Sequence, residues 1–150
     1  MNNITISQIK NIEDINILHN KSSNYEQFTY GYEEDDIERL KNNFKRKDSL
    51  YLIAKSGDNF AGFCSIDSEW WEQNCFFIRE IFIAPNFQKQ EIGKKLMQQC
   101  INHAKSHNAT EVVTETAFEN IPMQKLCKKL GFIEWYNPQW KEGITYKVKL

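Results

Sequence analysis

The sequence predicts a single α/β domain, and three observations support this prediction. The chain has 150 residues, which suffices for one compact domain but not for two. Hydrophobic residues make up 41% and charged residues 26%, an ordinary composition for a globular protein. Short apolar runs and segments of helical spacing follow one another in the order βααβββαβαββ. We therefore expect one domain over residues 1–150, with one site.

The first half of the chain predicts a strand, two helices and a hairpin. Residues 3–9 alternate as a strand does, and apolar residues from Ile12 to Leu18 then recur at helical spacing. A second helix is predicted over about 33–46, with acidic residues at its start and basic residues at its end. The apolar runs 49–55 and 60–66 are separated by Ser-Gly-Asp-Asn, so we expect a hairpin.

The second half predicts four strands and two helices. Asn120 can cap the second of these helices, and Gly131 is well placed to end it. The other elements are, in order, a strand at 75–83, a helix over roughly 92–107, a strand at 111–117, and final strands at 132–136 and 144–150.

Charge and cysteine usage favour a cytoplasmic protein that binds small molecules. The net charge is −1, and the basic residues are scattered among acidic ones, so we expect no nucleic-acid partner. Residues 1–20 lack the pattern of a signal peptide, and no apolar run reaches the ~20 residues of a membrane span. The cysteines form no CxxC pair, which favours a reducing compartment; they are Cys64, Cys75, Cys100 and Cys127.

A proline-marked turn between the strand at 75–83 and the next helix predicts an anion site. The loop from Gln88 to Lys94 presents backbone N–H groups where the helix begins. The helix dipole favours negative charge there, and Lys89 or Lys94 adds a positive charge. The loop can therefore hold a diphosphate, although an ordinary strand-to-helix turn explains the loop alone equally well.

This loop resembles the cofactor signature of the GNAT superfamily of acetyltransferases. The signature is Gln or Arg, two variable residues, Gly, a variable residue, and Gly or Ala; here it reads Gln88-Lys89-Gln90-Glu91-Ile92-Gly93. Glu91 stands where the family usually has its first glycine, which adds a side chain and a negative charge. Downstream, Leu130-Gly131-Phe132 matches the family's common end of the following helix.

The resemblance implies a mixed, mostly antiparallel central sheet with helices on both faces, whose fourth and fifth strands splay apart. The cosubstrate is then acetyl-CoA, with its pantetheine arm pairing with the fourth strand as an extra strand would. A backbone N–H near Ile83 would polarise the thioester carbonyl. The residues expected to bind the cofactor are Ile81, Phe82, Ile83, Gln88, Lys89, Gln90, Glu91, Ile92, Gly93, Lys94, Asn120 and Cys127.

Two glutamates compete for the role of general base. An alkylamine with a pKa near ~10 is mostly charged at neutral pH, so a carboxylate must accept its proton. Glu80 lies in its strand with Ile78 and Phe82 expected on its own face, where partial burial would raise its pKa. Glu115 occupies the matching place on the next strand. The alternative is that either glutamate simply pairs with Arg79 or with a lysine.

Aromatic and acidic residues are candidates for the acceptor pocket. Trp70 and Trp71, followed by Glu72 in a predicted loop, can form a stacking and anionic surface for a cationic substrate, or equally a lid over the core. Tyr30 belongs to an early loop where the family usually builds its acceptor pocket, together with Tyr25, Phe28 and Tyr32.

Cys127 stands where many family members have a tyrosine that protonates the departing thiolate. Its apolar neighbours Met123, Leu126 and Leu130 favour plain core packing. We therefore expect water to protonate the thiolate. His103 and His107 have the spacing of helical zinc ligands, but no third ligand is evident and we expect no metal.

Together these features predict an N-acetyltransferase that moves acetyl from acetyl-CoA to a primary amine by direct attack in a ternary complex. The acidic and aromatic residues favour a cationic small molecule, aminoglycoside-like or a polyamine, and some aminoglycoside acetyltransferases look similar through residues 80–131. Glu91 and the missing tyrosine favour a non-catalytic acyl-CoA-binding or sensor domain as an alternative. A peptide or protein N-acetyltransferase is another alternative, and a homodimer is left open.

Overall fold

The elements in the structure follow the order that the sequence predicts. The computed structural model describes residues 3–22 and 34–150. The helices are α1 (Asp14–Ser22), α2 (Glu34–Phe44), α3 (Ile92–Ser106) and α4 (Ile121–Lys129), with a short 3-10 helix at Pro85–Phe87 before α3. The strands are β1 (Ile4–Gln8), β2 (Leu50–Ser56), β3 (Asn59–Asp67), β4 (Cys75–Ile83), β5 (Glu111–Ala117), β6 (Ile133–Trp135) and β7 (Gly143–Lys149).

These seven strands form one sheet in the order β1-β2-β3-β4-β5-β7-β6. The pairing of β4 with β5 is parallel, whereas the other neighbouring strands are antiparallel. The mixed, mostly antiparallel sheet expected from the family resemblance is therefore confirmed. No helix in the described ranges is both long enough and apolar enough to cross a membrane.

Helices cover both faces of the sheet because its central strands are apolar on both sides. Cys64 on β3 faces α3, where the sulfur of Cys100 lies 3.6 Å from its own sulfur. The next residue of β3, Ser65, points to the opposite face and is paired with Tyr51. The Tyr51 ring lies 5.8 Å from the ring of Phe44 on α2. Helices α2 and α3 thus pack on opposite faces, as predicted.

A β-bulge at Arg79 corrects one prediction about the strand that carries Glu80. On β3, Ile66 pairs with Ile78 and the preceding Ser65 pairs with Glu80, so that Arg79 is the extra residue on β4. Adjacent residues of β3 point to opposite faces, and Ile78 and Glu80 therefore do so too. The expectation that Ile78 shares a face with Glu80 was wrong, since period-two alternation assumes an unbroken strand.

Strands β4 and β5 separate part-way along their length. Their pairing covers Cys75–Ile78 and Glu111–Thr114, and the Thr114 hydroxyl donates to the carbonyl oxygen of Ile78 at 3.3 Å where it ends. Beyond that point β4 continues with β3, and β5 continues with β7. The predicted splay of the fourth and fifth strands is confirmed, and it opens a gap that begins next to Glu80 and Glu115.

Candidate active site

The loop before α3 leaves the start of this helix free of side-chain caps. Glu91 is the N-cap residue, with a left-handed φ of 63°, and its side chain makes no capping hydrogen bond. Lys89 also has a positive φ, of 65°. The N–H groups of the first turn have no acceptors within the helix itself. They can therefore donate to an anion at the place that the sequence predicts.

The side chain of Glu91 contacts the end of α4 instead of capping α3. Its Oε1 lies 2.9 Å from Nζ of Lys129, and both side chains are exposed. The hydrogen bond and charge of Lys129 lower the pKa of Glu91. The negative charge that departs from the family's pattern is thus paired with a lysine of this chain.

Gly93 brings α3, α4 and the end of β4 close together. A Cβ added at this glycine would lie 3.1 Å from a methyl carbon of Leu126 and within 4 Å of Ile81 and Ile83. The side chain of Gln88 donates to the carbonyl oxygen of Ile83 at 3.2 Å, which ties the loop to the strand. The loop residues Gln88 and Gly93 therefore lie next to Ile81 and Ile83, at the end of β4 that β5 has left.

The side chains of two other predicted cofactor residues make their contacts with this chain. Asn120 caps α4, since its Oδ1 accepts a hydrogen bond from the N–H of Met123 at 3.2 Å. Cys127 is fully buried in the core, and burial raises the pKa of its thiol to about 12. A thiol is thereby made a much weaker acid than an ordinary one with a pKa near ~8.5. These observations favour the packing interpretation of Cys127.

Glu80 is held by donors from two elements. Its Oε1 accepts from Asn43 of α2 at 3.1 Å and its Oε2 accepts from the hydroxyl of Tyr51 at 2.9 Å. Arg39 lies 4.0 Å away, and the Glu80 side chain is 15% exposed. Burial raises the pKa of Glu80 despite these donors. Its partners are therefore on α2 and β2, whereas Arg79 pairs with Asp67 at 2.6 Å.

Glu115 lies half-buried on the same face of the sheet as Glu80. The β3 partners of Phe77 and Glu80 are two residues apart, so Phe77 and Glu80 share a face. Val113, the partner of Phe77 on β5, precedes Glu115 by two residues. Burial raises the pKa of Glu115, and the nearby charge of Arg79 opposes this. The structure thus brings both predicted bases to one side of the diverging strands.

The predicted cation-binding surface already holds a cation from this chain. Lys147 of β7 pairs with Glu72 at 2.6 Å, and its Nζ lies 3.5 Å from the centre of the Trp135 ring. The side chain of Lys147 is 8% exposed. The indole N–H of Trp70 donates to the same Glu72 oxygen at 3.1 Å. Glu72 therefore has a structural role, and its partner Lys147 was not predicted from the sequence.

The two tryptophans pack mainly against other aromatic rings. Trp70 lies 5.0 Å from the ring of Phe77, and Trp71 lies 5.8 Å from that of Trp135, centre to centre. Trp70 packs against the buried cluster that contains Phe77, as the alternative of a lid over the core implies, whereas Trp71 is half exposed. Tyr30 and the other aromatic residues of the early loop, Tyr25, Phe28 and Tyr32, lie outside the described residues.

A cleft lies beside Glu115, and no sequence pattern predicted it. The cleft has a volume of about 350 Å³ and lies at β6, β7 and the loop between them. Asn137 in its wall donates to Oε2 of Glu115 at 3.3 Å. Asn137 precedes Pro138, a pattern typical of a turn, and no sequence pattern distinguishes its buried amide. The residues that line the cleft are Phe118, Glu134, Trp135, Tyr136, Asn137, Trp140, Lys141, Gly143, Ile144 and Thr145.

The model of the Acetyltransferase (GNAT) family matches residues 17–132. The chain belongs to this family. Membership in the GNAT family confirms the resemblance to this superfamily.

One curated relative is a putative [ribosomal protein bS18]-alanine N-acetyltransferase of Bacillus subtilis. It is 30% identical over 81 residues, which cover 54% of this chain and 52% of the relative. An uncharacterized N-acetyltransferase of Methanocaldococcus jannaschii is 28% identical over 94 residues, or 60% of this chain and 42% of the relative. The chain thus spans about half the length of the curated relatives it matches.

Solved GNAT structures share the fold over nearly the whole chain. A PaiA N-acetyltransferase of Thermoplasma acidophilum, in complex with coenzyme A, has a TM-score of 0.77 and 21% identity over 99% of both chains. A putative acetyltransferase of Salmonella typhimurium, with acetyl-CoA, has a TM-score of 0.74 and 14% identity over 97% of this chain and 93% of its own. At these identities the likeness establishes the fold.

Proposed function

We propose that the protein transfers an acetyl group from acetyl-CoA to a primary amine, by direct attack within a ternary complex. One observation carries the proposal. Two carboxylates with raised pKa values lie on one face of strands that diverge beside an uncapped helix start. The chain therefore has an anion-binding loop, a gap for an extended cofactor arm and a proton acceptor in one place.

The residues at the gap fit acetyl-CoA, which supplies the acetyl group activated as a thioester. The N–H groups at the start of α3 donate to the diphosphate, and Lys89 and Lys94 add positive charge. The backbone of Ile81–Ile83, on the side of β4 that β5 has left, is available for the pantetheine arm. A backbone N–H near Ile83 polarises the carbonyl.

Glu115 is the better-placed base of the two glutamates. Both oxygens of Glu80 accept hydrogen bonds, from Asn43 and from Tyr51. Within residues 3–22 and 34–150, one side-chain hydrogen bond reaches Glu115, at Oε2. Its second oxygen is therefore the one that can accept the amine proton, directly or through water. Glu80 then shapes the charge of the site from the neighbouring strand.

Water, rather than Cys127, protonates the departing thiolate in this proposal. The Cys127 thiol is fully buried and its pKa is raised to about 12. Transfer of a proton from such a thiol to a thiolate of ordinary pKa is uphill. Solvent that enters through the acceptor side supplies the proton instead.

The acceptor in this proposal is a small cationic amine, with a polyamine or an aminoglycoside-like molecule as examples. Glu80, Glu115 and Glu134 place acidic groups at the site and the adjoining cleft, whereas the Trp135 ring already contacts Lys147. Glu72 was also expected to bind the acceptor, but its carboxylate is paired with Lys147. A peptide N-terminus is the second candidate, favoured by the 30% identity to a putative alanine N-acetyltransferase.

The four buried, free cysteines support a reducing compartment, and we place the protein in the cytoplasm on that ground.

An assay of free CoA release with a panel of amines tests the proposal. The panel contains spermidine, an aminoglycoside and a peptide that begins with alanine, each with acetyl-CoA. We expect turnover with the first two that exceeds the release without amine. Preference for the peptide would transfer the proposal to the second candidate. Binding of acetyl-CoA without turnover of any amine would instead support the sensor domain.

A further inference from the structure

Asn137 is the buried polar residue that contacts the candidate base. It lies in the loop between β6 and β7 and is 4% exposed. Its Nδ2 donates to Oε2 of Glu115 at 3.3 Å and to the hydroxyl oxygen of Thr145 at 3.1 Å. Thr145 is the residue of β7 that pairs with Glu115 in the sheet. The amide nitrogen of Asn137 therefore bridges the side chains of Glu115 and Thr145.

The orientation of the amide is fixed by the backbone. The Oδ1 of Asn137 accepts a hydrogen bond from the N–H of Gln139 at 2.8 Å. A backbone N–H can pair only with the oxygen of the amide, so the nitrogen must point to Glu115. Both hydrogens of that nitrogen then have acceptors. The side chain has no unused donor and no reason to rotate.

We infer that Asn137 is a positioning residue for Glu115, which fixes one carboxylate oxygen and favours the ionised form that acts as the base. The inference rests on the proposed function only in taking Glu115 as that base. A donor to a carboxylate stabilises its charged state, whereas burial stabilises the neutral state. Asn137 thus opposes the effect of burial on Glu115, and Oε1 accepts no side-chain hydrogen bond from the described residues.

Arg79 also favours the ionised form of Glu115, but by its charge rather than by a hydrogen bond to this carboxylate. From β4, Arg79 attracts the carboxylate, but its guanidinium is bound to both oxygens of Asp67, at 2.6 and 2.9 Å. From β7, Lys147 lies two residues beyond Thr145 and is paired with Glu72. Asn137 is the neutral donor in direct contact with Glu115. Its loss should therefore change the titration of Glu115 even though Arg79 remains.

The position of Asn137 also joins the base to the cleft. Asn137 lines this cleft with residues on either side of it in the same loop, such as Tyr136 and Trp140. An acceptor that displaces the loop would move the amide and, through it, the carboxylate. The Asn137 side chain therefore couples the position of the loop between β6 and β7 to the pKa of Glu115.

The experiment follows the Glu115 carboxyl by ¹³C NMR titration of the free protein, so that its result does not depend on turnover. Asn137→Asp keeps the size of the side chain and an acceptor for Gln139, but places a second carboxylate against Glu115. We expect the pKa of Glu115 to rise in Asn137→Ala and to rise further in Asn137→Asp, by about one unit or more. Asn108→Asp adds the same charge at an exposed position and should leave this pKa unchanged.

The pH dependence of kcat/KM gives a second measurement. We expect its acidic limb to move to higher pH in both Asn137 variants, in parallel with the NMR titration. An unchanged pKa of Glu115 in both folded variants would overturn the inference. If the NMR pKa moves while the acidic limb stays, Asn137 does position Glu115, but Glu115 is not the base, and the proposed mechanism fails instead.

Discussion

At the scale of single residues, the raised pKa of Glu115 decides how the activity should depend on pH. A general base must be ionised, so kcat/KM falls as the pH drops through the pKa of the base. Burial raises that pKa, which moves the loss of activity toward neutral pH. At high pH the amine loses its proton without help, and the base matters less.

Replacement of Glu115 by glutamine should therefore lower kcat/KM most at neutral pH, by roughly 10²-fold or more, and less at high pH. The measurement is a pH profile of kcat/KM for the variant and the wild type. Glu80→Gln is the matched variant on the neighbouring strand, and we expect a smaller loss because Glu80 is held by two donors. A loss that is equal at all pH values would mean that neither carboxylate accepts the proton.

Glu91 imposes a backbone cost on the cofactor loop. Its φ of 63° lies in the left-handed region, which glycine adopts at no steric cost. We predict that Glu91→Gly binds CoA more tightly, because the loop is relieved of strain and loses a negative charge near the diphosphate. Calorimetric titration with CoA measures the change.

Glu91→Gln separates the two causes of this effect, since it removes the charge but keeps the side chain in the left-handed region. Tighter binding in Glu91→Gly but not in Glu91→Gln would assign the effect to the backbone. Weaker binding in both would show that the ion pair with Lys129 holds the loop in its binding conformation.

At the scale of elements, periodicity predicted the strands and helices but not the contacts between distant strands. The alternation of Ile144, Tyr146 and Val148 correctly marks one apolar face of β7, whereas Leu150 lies beyond the strand and is exposed. The same pattern assigns Lys147 to the opposite, polar face, yet Lys147 is buried. Its partner Glu72 is 75 residues away in the chain, so no local pattern records the pair.

The bulge in β4 could not be predicted from the sequence for a related reason. The segment from Cys75 to Ile83 reads as one apolar strand, and a single extra residue at Arg79 leaves its composition unchanged. The turn before α3 and the uncapped start of this helix, in contrast, were predictable because their residues are consecutive in sequence. Local features of the site could be predicted, whereas those that depend on register and on side chains from distant strands could not.

The contact between Glu72 and Lys147 links β7 to the loop between β3 and β4, and it should contribute to stability in a pH-dependent way. Burial tends to raise the pKa of Glu72, but hydrogen bonds from Lys147 and Trp70 outweigh this and lower it. Such a carboxylate stabilises the fold above its unfolded-state pKa, and the contribution is lost as the pH falls through the lower, folded-state pKa.

Glu72→Gln should therefore lower the free energy of unfolding at neutral pH by about 1–3 kcal/mol, because Lys147 loses its charged partner while buried. The difference from wild type should shrink as the pH drops into the acidic range. Urea unfolding at several pH values measures this. Glu91→Gln breaks an exposed pair instead and should change stability little. A pH-independent difference for Glu72→Gln would exclude the ion pair as its cause.

At the scale of the whole molecule, acetyl-CoA should raise the melting temperature. A ligand that binds only the folded state stabilises it by RT ln(1 + [L]/Kd), which is about 2.7 kcal/mol at a hundred times Kd. Thermal unfolding with increasing acetyl-CoA measures the shift. Pantetheine lacks the diphosphate that the start of α3 would bind, and should give a smaller shift. No shift at millimolar acetyl-CoA would contradict cofactor binding by this chain.

The separation of β4 from β5 has a consequence for solubility as well. A sheet normally presents its unpaired N–H and C=O groups on its two outer margins, where another chain can add a strand and begin aggregation. In this sheet β4 and β5 are the fourth and fifth of seven strands, and their unpaired stretches face one another inside the sheet. The protein can keep a template for an extended ligand there without offering it on the perimeter, because the same two strands are paired with β3 and β7 on their other sides.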